Sequence, residues 1–84
     1  MTRYLVTTFR TPAFQARVVE QHYAFLDQLR EQGKLELAGP FADKSGGAYL
    51  IKAASLEEAR NLAFADPVHL TGSSVVTVYE WNAV

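Results

Sequence analysis

The apolar positions of the chain change their period from segment to segment, and those changes mark out its elements. Tyr4 to Phe9 (YLVTTF) is rich in β-branched and aromatic residues and predicts a strand. Tyr4 and Val6 lie on one face with Thr8, and Leu5 and Phe9 lie on the other with Thr7. Both faces are largely apolar, as in a strand covered on both sides. Arg10-Thr11-Pro12 breaks the strand. Thr11 is a candidate N-cap with Pro12 at the first helical position, or the helix begins a few residues later. The helix is expected to run to about Gln32. Val18, Val19, Phe25, Leu26 and Leu29 recur at the three- and four-residue spacing of one buried face. Gly33 is a natural stop, since glycine adopts left-handed torsions cheaply.

Lys34 to Ala38 (KLELA) alternates, with Leu35 and Leu37 read onto one face of a short strand. Gly39-Pro40 is expected to end that strand in a turn. Phe41 to Gly47 reads as a polar loop, and Ala48 to Ala53 (AYLIKA) as a third strand, again apolar on both faces. Ser55-Leu56-Glu57-Glu58 fits a capping box and opens a second helix, with Leu56, Ala59, Leu62, Ala63 and Phe64 as its apolar positions. Asp66-Pro67 stops it, because a residue before proline is pushed out of helical torsions. Val68 to Gly72 reads as a connector, and Ser74 to Trp81 (SVVTVYEW) as the fourth strand.

The order β-α-β-β-α-β predicts an α+β fold of ferredoxin-like type, with two helices on one face of a four-stranded antiparallel sheet. Two helices cover one sheet face, yet the strands are apolar on both. Val75, Thr77, Tyr79 and Trp81 share one side of the last strand, and Val76 and Val78 the other. An uncovered apolar face of that size predicts a second copy packed on it, most simply as a two-fold homodimer.

Composition narrows the function classes. The chain has 84 residues, enough for one domain that buries only about 60–65% of its unfolded surface. It has no cysteine, hence no disulfide, no thiolate metal site and no thiol nucleophile. The net charge is −1, with lysines and arginines scattered, so nucleic-acid binding is not expected. The first dozen residues lack the pattern of a signal peptide, and no apolar run approaches the roughly 20 residues that span a bilayer. The expectation is a soluble cytoplasmic protein without membrane partners.

Three residues stand out chemically. His22 sits four residues after Val18 and inside the apolar stripe of the first helix. It is either a core histidine bonded to a backbone carbonyl or an imidazole in an apolar pocket, able to shuttle a proton near neutral pH. Asp66 is either a turn or capping residue or the carboxylate that orients that imidazole. His69 reads as an exposed connector residue. Two histidines and an aspartate at this spacing match no known metal motif, so no metal site is expected. No nucleophile elbow and no phosphate-binding glycine loop is present. Tyr49, Tyr79 and Trp81 read as core or interface residues that can also wall a pocket.

The chain resembles the YciI-like (YCII-related) family over nearly its whole length. The resemblance rests on His22 followed by Phe25-Leu26 and Leu29, then Gly33-Lys34-Leu35 and Ala38-Gly39-Pro40. It continues with the glycine-bearing loop, Ser55-Leu56-Glu57-Glu58-Ala59, Asp66-Pro67 and the terminal aromatic Trp81. It implies ferredoxin-like protomers assembling as a dimeric α/β-barrel. It also implies a pocket with a histidine–aspartate pair proposed as catalytic, here His22 and Asp66, lined by the Gly39-Pro40 turn as substrate-binding residues. Val68 departs from the aromatic that is common after Asp-Pro, which alters the pocket wall. The function so implied is that of a small enzyme with no cofactor, using proton transfer for elimination or isomerisation of a small organic molecule. The alternatives are a non-catalytic ligand-binding or oligomerisation module, or a quinol or haem monooxygenase of related architecture.

Overall fold

A computed structural model describes every residue from Met1 to Val84. The elements are β1 (Thr2–Arg10), α1 (Val18–Glu31), β2 (Leu35–Pro40), β3 (Gly46–Ala53), α2 (Leu56–Ala63), α3 (Pro67–Leu70) and β4 (Ser74–Glu80). The strands form one antiparallel sheet in the order β2-β3-β1-β4. This is the ferredoxin-like α+β arrangement, with one helical turn, α3, added between α2 and β4. No helix is long and apolar enough to cross a membrane.

Pairing sets the parity of the sheet. Tyr4 lies opposite Ile51, Val6 opposite both Tyr49 and Val78, and Thr8 opposite Gly47. These positions turn toward the helices, and their large side chains join Leu26, Leu29, Leu35, Ala53, Ala59 and Ala63 in the buried core. Leu56 and Leu62 of α2, and Phe64 at its C-cap, pack on that core. The alternate positions turn the other way, and Phe9, Leu37, Val75, Tyr79 and Trp81 are exposed. The apolar second face read from the strand pattern is therefore present.

Helix ends follow local chemistry. Gly33 has φ 72°, and α1 closes in a Schellman motif, with Lys34 N–H donating to Leu29 C=O and Gly33 N–H to Arg30 C=O. Ser55 caps α2 by accepting from Glu58 N–H at 3.1 Å.

One open choice is decided and three expectations are corrected. Helix α1 begins at Val18, because the Thr11 hydroxyl takes the Ala13 N–H in a local turn and also donates to the Gly72 carbonyl at the entry to the neighbouring strand β4. Leu35 and Leu37 do not share a face: the register slips between them, Leu35 pairing with Ile51 and Leu37 with Leu50. Since side chains alternate with period two, a one-residue irregularity sends Leu35 into the core and Leu37 to the open face. Gly39 and Pro40 are not a turn but the last pairs of β2, opposite Ala48 and Gly47. β2 is an edge strand, where the missing proline N–H costs no ladder bond. Finally, the connector after Asp66 holds the helical turn α3, with Pro67 at its first position.

Candidate active site

Asp66 is wholly buried at the junction of α2, α3 and the sheet. The proline that follows holds its backbone extended (φ −61°, ψ 131°), so its side chain turns back over α3 as an N-cap. Its Oδ1 accepts from Val68 N–H at 3.0 Å, and its Oδ2 accepts from the Tyr49 hydroxyl at 3.1 Å. His22 Nδ1 lies 2.9 Å from Oδ1 and 2.8 Å from Oδ2. A buried carboxylate needs donors on all sides, and an N–H and an O–H already serve it. The complementary state of the third neighbour is the Nδ1–H tautomer of His22.

That tautomer leaves the lone pair on Nε2. Nε2 has no protein hydrogen bond, and no buried side-chain nitrogen or oxygen lacks a partner, so Nε2 reaches solvent. The His22 side chain is 17% exposed, and that exposure opens into a cleft walled by Val19, Leu26, Pro40 and Val68. An imidazole with one nitrogen anchored and the other unpaired at a cleft has the geometry of a general base.

Tyr49 completes the group. It lies on the helix-facing side of β3, between His22 (ring centroids 6.1 Å apart) and Phe25 (6.4 Å, edge-on). Burial first, then the charge of Asp66 and its hydrogen bond, hold the Tyr49 hydroxyl far above the ordinary phenol range. It is a permanent donor, fixing Asp66 from below while Val68 N–H fixes it from the side. Sequence reading took Tyr49 for a core or wall residue. The signal available was its parity: a tyrosine on the same face as Ile51 and Ala53 is buried, and a buried hydroxyl requires a partner.

The structure thus brings His22 and Asp66 into contact and puts Gly39 and Pro40 in the wall of the same cleft. His69 stays outside, exposed and stacked on Phe64 at 4.6 Å. The cleft floor is the end of the sheet where Gly46 and Gly47 pass β1 and β2. A Cβ at Gly46 would stand 1.8 Å from the Thr8 carbonyl oxygen, and one at Gly47 would stand 2.7 Å from that of Gly39. The strands approach there closely enough that only glycine fits, which keeps the floor free of side chains.

Comparison with known proteins agrees with this architecture. The protein is 48% identical to the uncharacterized protein YjpA of Bacillus subtilis (strain 168) over 82 residues, which are 98% of this chain and 96% of that one. Its fold is similar to that of 5-chloro-2-hydroxyhydroquinone dehydrochlorinase from Burkholderia phenoliruptrix AC1100, solved with 2,5-dihydroxybenzoquinone. That match has a TM-score of 0.79 over 98% of this chain and 95% of the other, at 22% identity, and is a likeness of fold. The model of the YCII-related domain matches residues 2–82, and the chain belongs to that family.

Proposed function

We propose that the protein is an enzyme that moves a proton on a small organic molecule, in an elimination or an isomerisation, with His22 as the base. The observation that carries this reading is the anchored imidazole: Nδ1 is held by a fully buried aspartate, and Nε2 is unpaired on a ring that lines the cleft. Nε2 takes a proton from an activated C–H or O–H of the substrate. The electron pair left behind forms the new double bond; in an elimination the leaving group departs with its own pair and the imidazolium gives its proton to water, and in an isomerisation the imidazolium returns the proton at another carbon. Asp66 orients the ring and stabilises the imidazolium that forms. Tyr49 holds Asp66 in place, and Gly39 and Pro40 wall the substrate. A protein of the same fold is named for a dehydrochlorination, which is an elimination, and that name supplies the first reaction class to try.

Proton abstraction is measurable without knowing the product. The wild-type protein in D2O is expected to exchange deuterium into activated positions of chlorohydroquinones and small enolisable ketones, read by NMR. The His22→Ala variant is expected to lose the exchange and keep its fold. Equal exchange by the variant refutes the role of His22. Ligand-induced thermal stabilisation without exchange favours the non-catalytic alternative.

The working unit in this reading is a homodimer closed through the open sheet face. Leu37 (68% exposed), Val75 (58%), Tyr79 (53%) and Trp81 (46%) together leave an apolar surface that a second copy covers. Sedimentation at micromolar concentration is expected to show a dimer, and Tyr79→Lys to shift it toward monomer. A strictly monomeric wild type refutes this assembly.

A further inference from the structure

The cleft holds one permanent charge, Arg10, and no carboxylate lines it. The parity that buries Tyr4, Val6 and Thr8 also brings Arg10, the last residue of β1, to the helix-facing side of the sheet. Its guanidinium carbon lies 4.2 Å from the centroid of the Phe14 ring. It makes no ion pair, whereas Arg3 is bound to Glu36 and Arg30 to Asp27. Stacking on a ring uses the face of a guanidinium and leaves its in-plane N–H fork free. Phe14 therefore orients a donor fork whose donors no protein group consumes. Across the β1–β4 pair from Arg10 lies Ser74, also in the cleft wall. Its hydroxyl has no protein partner and is not a buried unsatisfied group, so it too reaches the cleft.

We infer that the Arg10 fork, with the Ser74 hydroxyl beside it, selects a substrate that carries an anionic oxygen, a carboxylate or a phenolate, on a small apolar body. The inference rests on the cleft being the substrate site and adds the class of molecule it takes. The apolar walls at Val19, Leu26 and Val68 receive the body. The anionic group is held at the β1 end, and the position to be deprotonated is left for His22. A charge-assisted pair to a guanidinium is stronger than a neutral hydrogen bond, so charge, rather than shape, sets the preference.

Benzoate and benzamide share size and shape and differ in charge, and both can be titrated into 15N-labelled protein while the amide spectrum is followed. Benzoate is expected to shift Gly46, Gly47 and Ser74 and to bind about tenfold or more tightly than benzamide. In Arg10→Gln, whose site is an exposed strand end, the two ligands are expected to come within about twofold, with benzamide affinity unchanged. Equal affinities in the wild type, a preference that survives in Arg10→Gln, or no cleft shift with millimolar benzoate overturns the inference. His22→Ala is expected to retain the preference. An inactive protein that still prefers benzoate removes the catalytic reading and leaves this one standing. An active protein indifferent to charge does the reverse.

Discussion

Replacing Asp66 tests the site and the fold together. Asp66→Ala removes the acceptor of three donors: Val68 N–H, the Tyr49 hydroxyl and His22 Nδ1–H. A buried donor left without a partner costs about 1–3 kcal/mol. His22 is partly exposed and can turn to water, so most of the loss falls on Val68 and Tyr49. The expected destabilisation is about 3–5 kcal/mol, the range for breaking a buried charged network. A chain of 84 residues has roughly 4–13 kcal/mol in total, so the variant stands near the edge of folding.

Asp66→Asn separates the two roles. Its carbonyl oxygen still accepts from Val68 N–H, and the loss in stability is about 1–2 kcal/mol. Its NH2 group now faces Nδ1 of His22, which must become an acceptor, so the ring proton moves to Nε2 and the base is lost. Urea denaturation reads the first effect. Long-range 1H–15N spectra of the neutral imidazole read the second, since the protonated ring nitrogen is distinguishable from the bare one. The wild type is expected to carry the proton on Nδ1 and Asp66→Asn to carry it on Nε2. A wild-type ring protonated on Nε2 refutes the tautomer assignment, and a loss under about 1 kcal/mol in Asp66→Ala refutes the energetic one.

Two further substitutions probe the supports of the site. Tyr49 keeps its proton in the folded state, while the unfolded chain releases it near its ordinary pKa of about 10. Its stabilising contribution is therefore complete below that pH and is lost as pH rises above it, at up to about 1.4 kcal/mol per pH unit. Urea midpoints measured from neutral to strongly alkaline pH are expected to fall less steeply for Tyr49→Phe than for wild type; parallel curves contradict the argument. Gly47→Ala drives a Cβ against the Gly39 carbonyl and is expected to cost about 1–3 kcal/mol. That lowers Tm by roughly 4–8 °C per kcal/mol, whereas Gly39→Ala, which meets nothing within 4 Å, serves as the control in the same melting experiment.

The sequence made the fold legible wherever a period persisted over several residues. The stripe on α1, the Gly33 stop and the Ser55 cap each depend on local chemistry, and each is present. It was misleading where one residue changed the register. Leu35-Glu36-Leu37 alternates in the text, but the bulge that separates the two leucines answers to pairing with β3, a contact of long sequence separation. Pro40 reads as a breaker until β2 is known to be an edge. The site shows the same division. His22 was conspicuous because an imidazole interrupts an apolar face. Tyr49 was hidden because a tyrosine in an apolar strand looks ordinary until its hydroxyl is seen to point at a carboxylate 17 residues away.

Asp66 links the two halves of that contrast. Its readings as helix cap and as partner of the imidazole were alternatives in the sequence, and the structure shows both at once, through different lone pairs of one carboxylate. Oδ1 fixes the start of α3 by accepting from Val68 N–H, and α3 in turn sets Val68 in the cleft wall. The same atom shares Nδ1 with Oδ2, so the direction of the imidazole is tied to the position of that wall. A four-residue helix has too few internal bonds to persist alone, and its cap is a large part of what holds it. Loss of the carboxylate therefore releases the ring and the wall together. Asp66→Asn keeps the capping oxygen and with it the wall, while it reverses the tautomer of the ring and takes the acceptor from the Tyr49 hydroxyl.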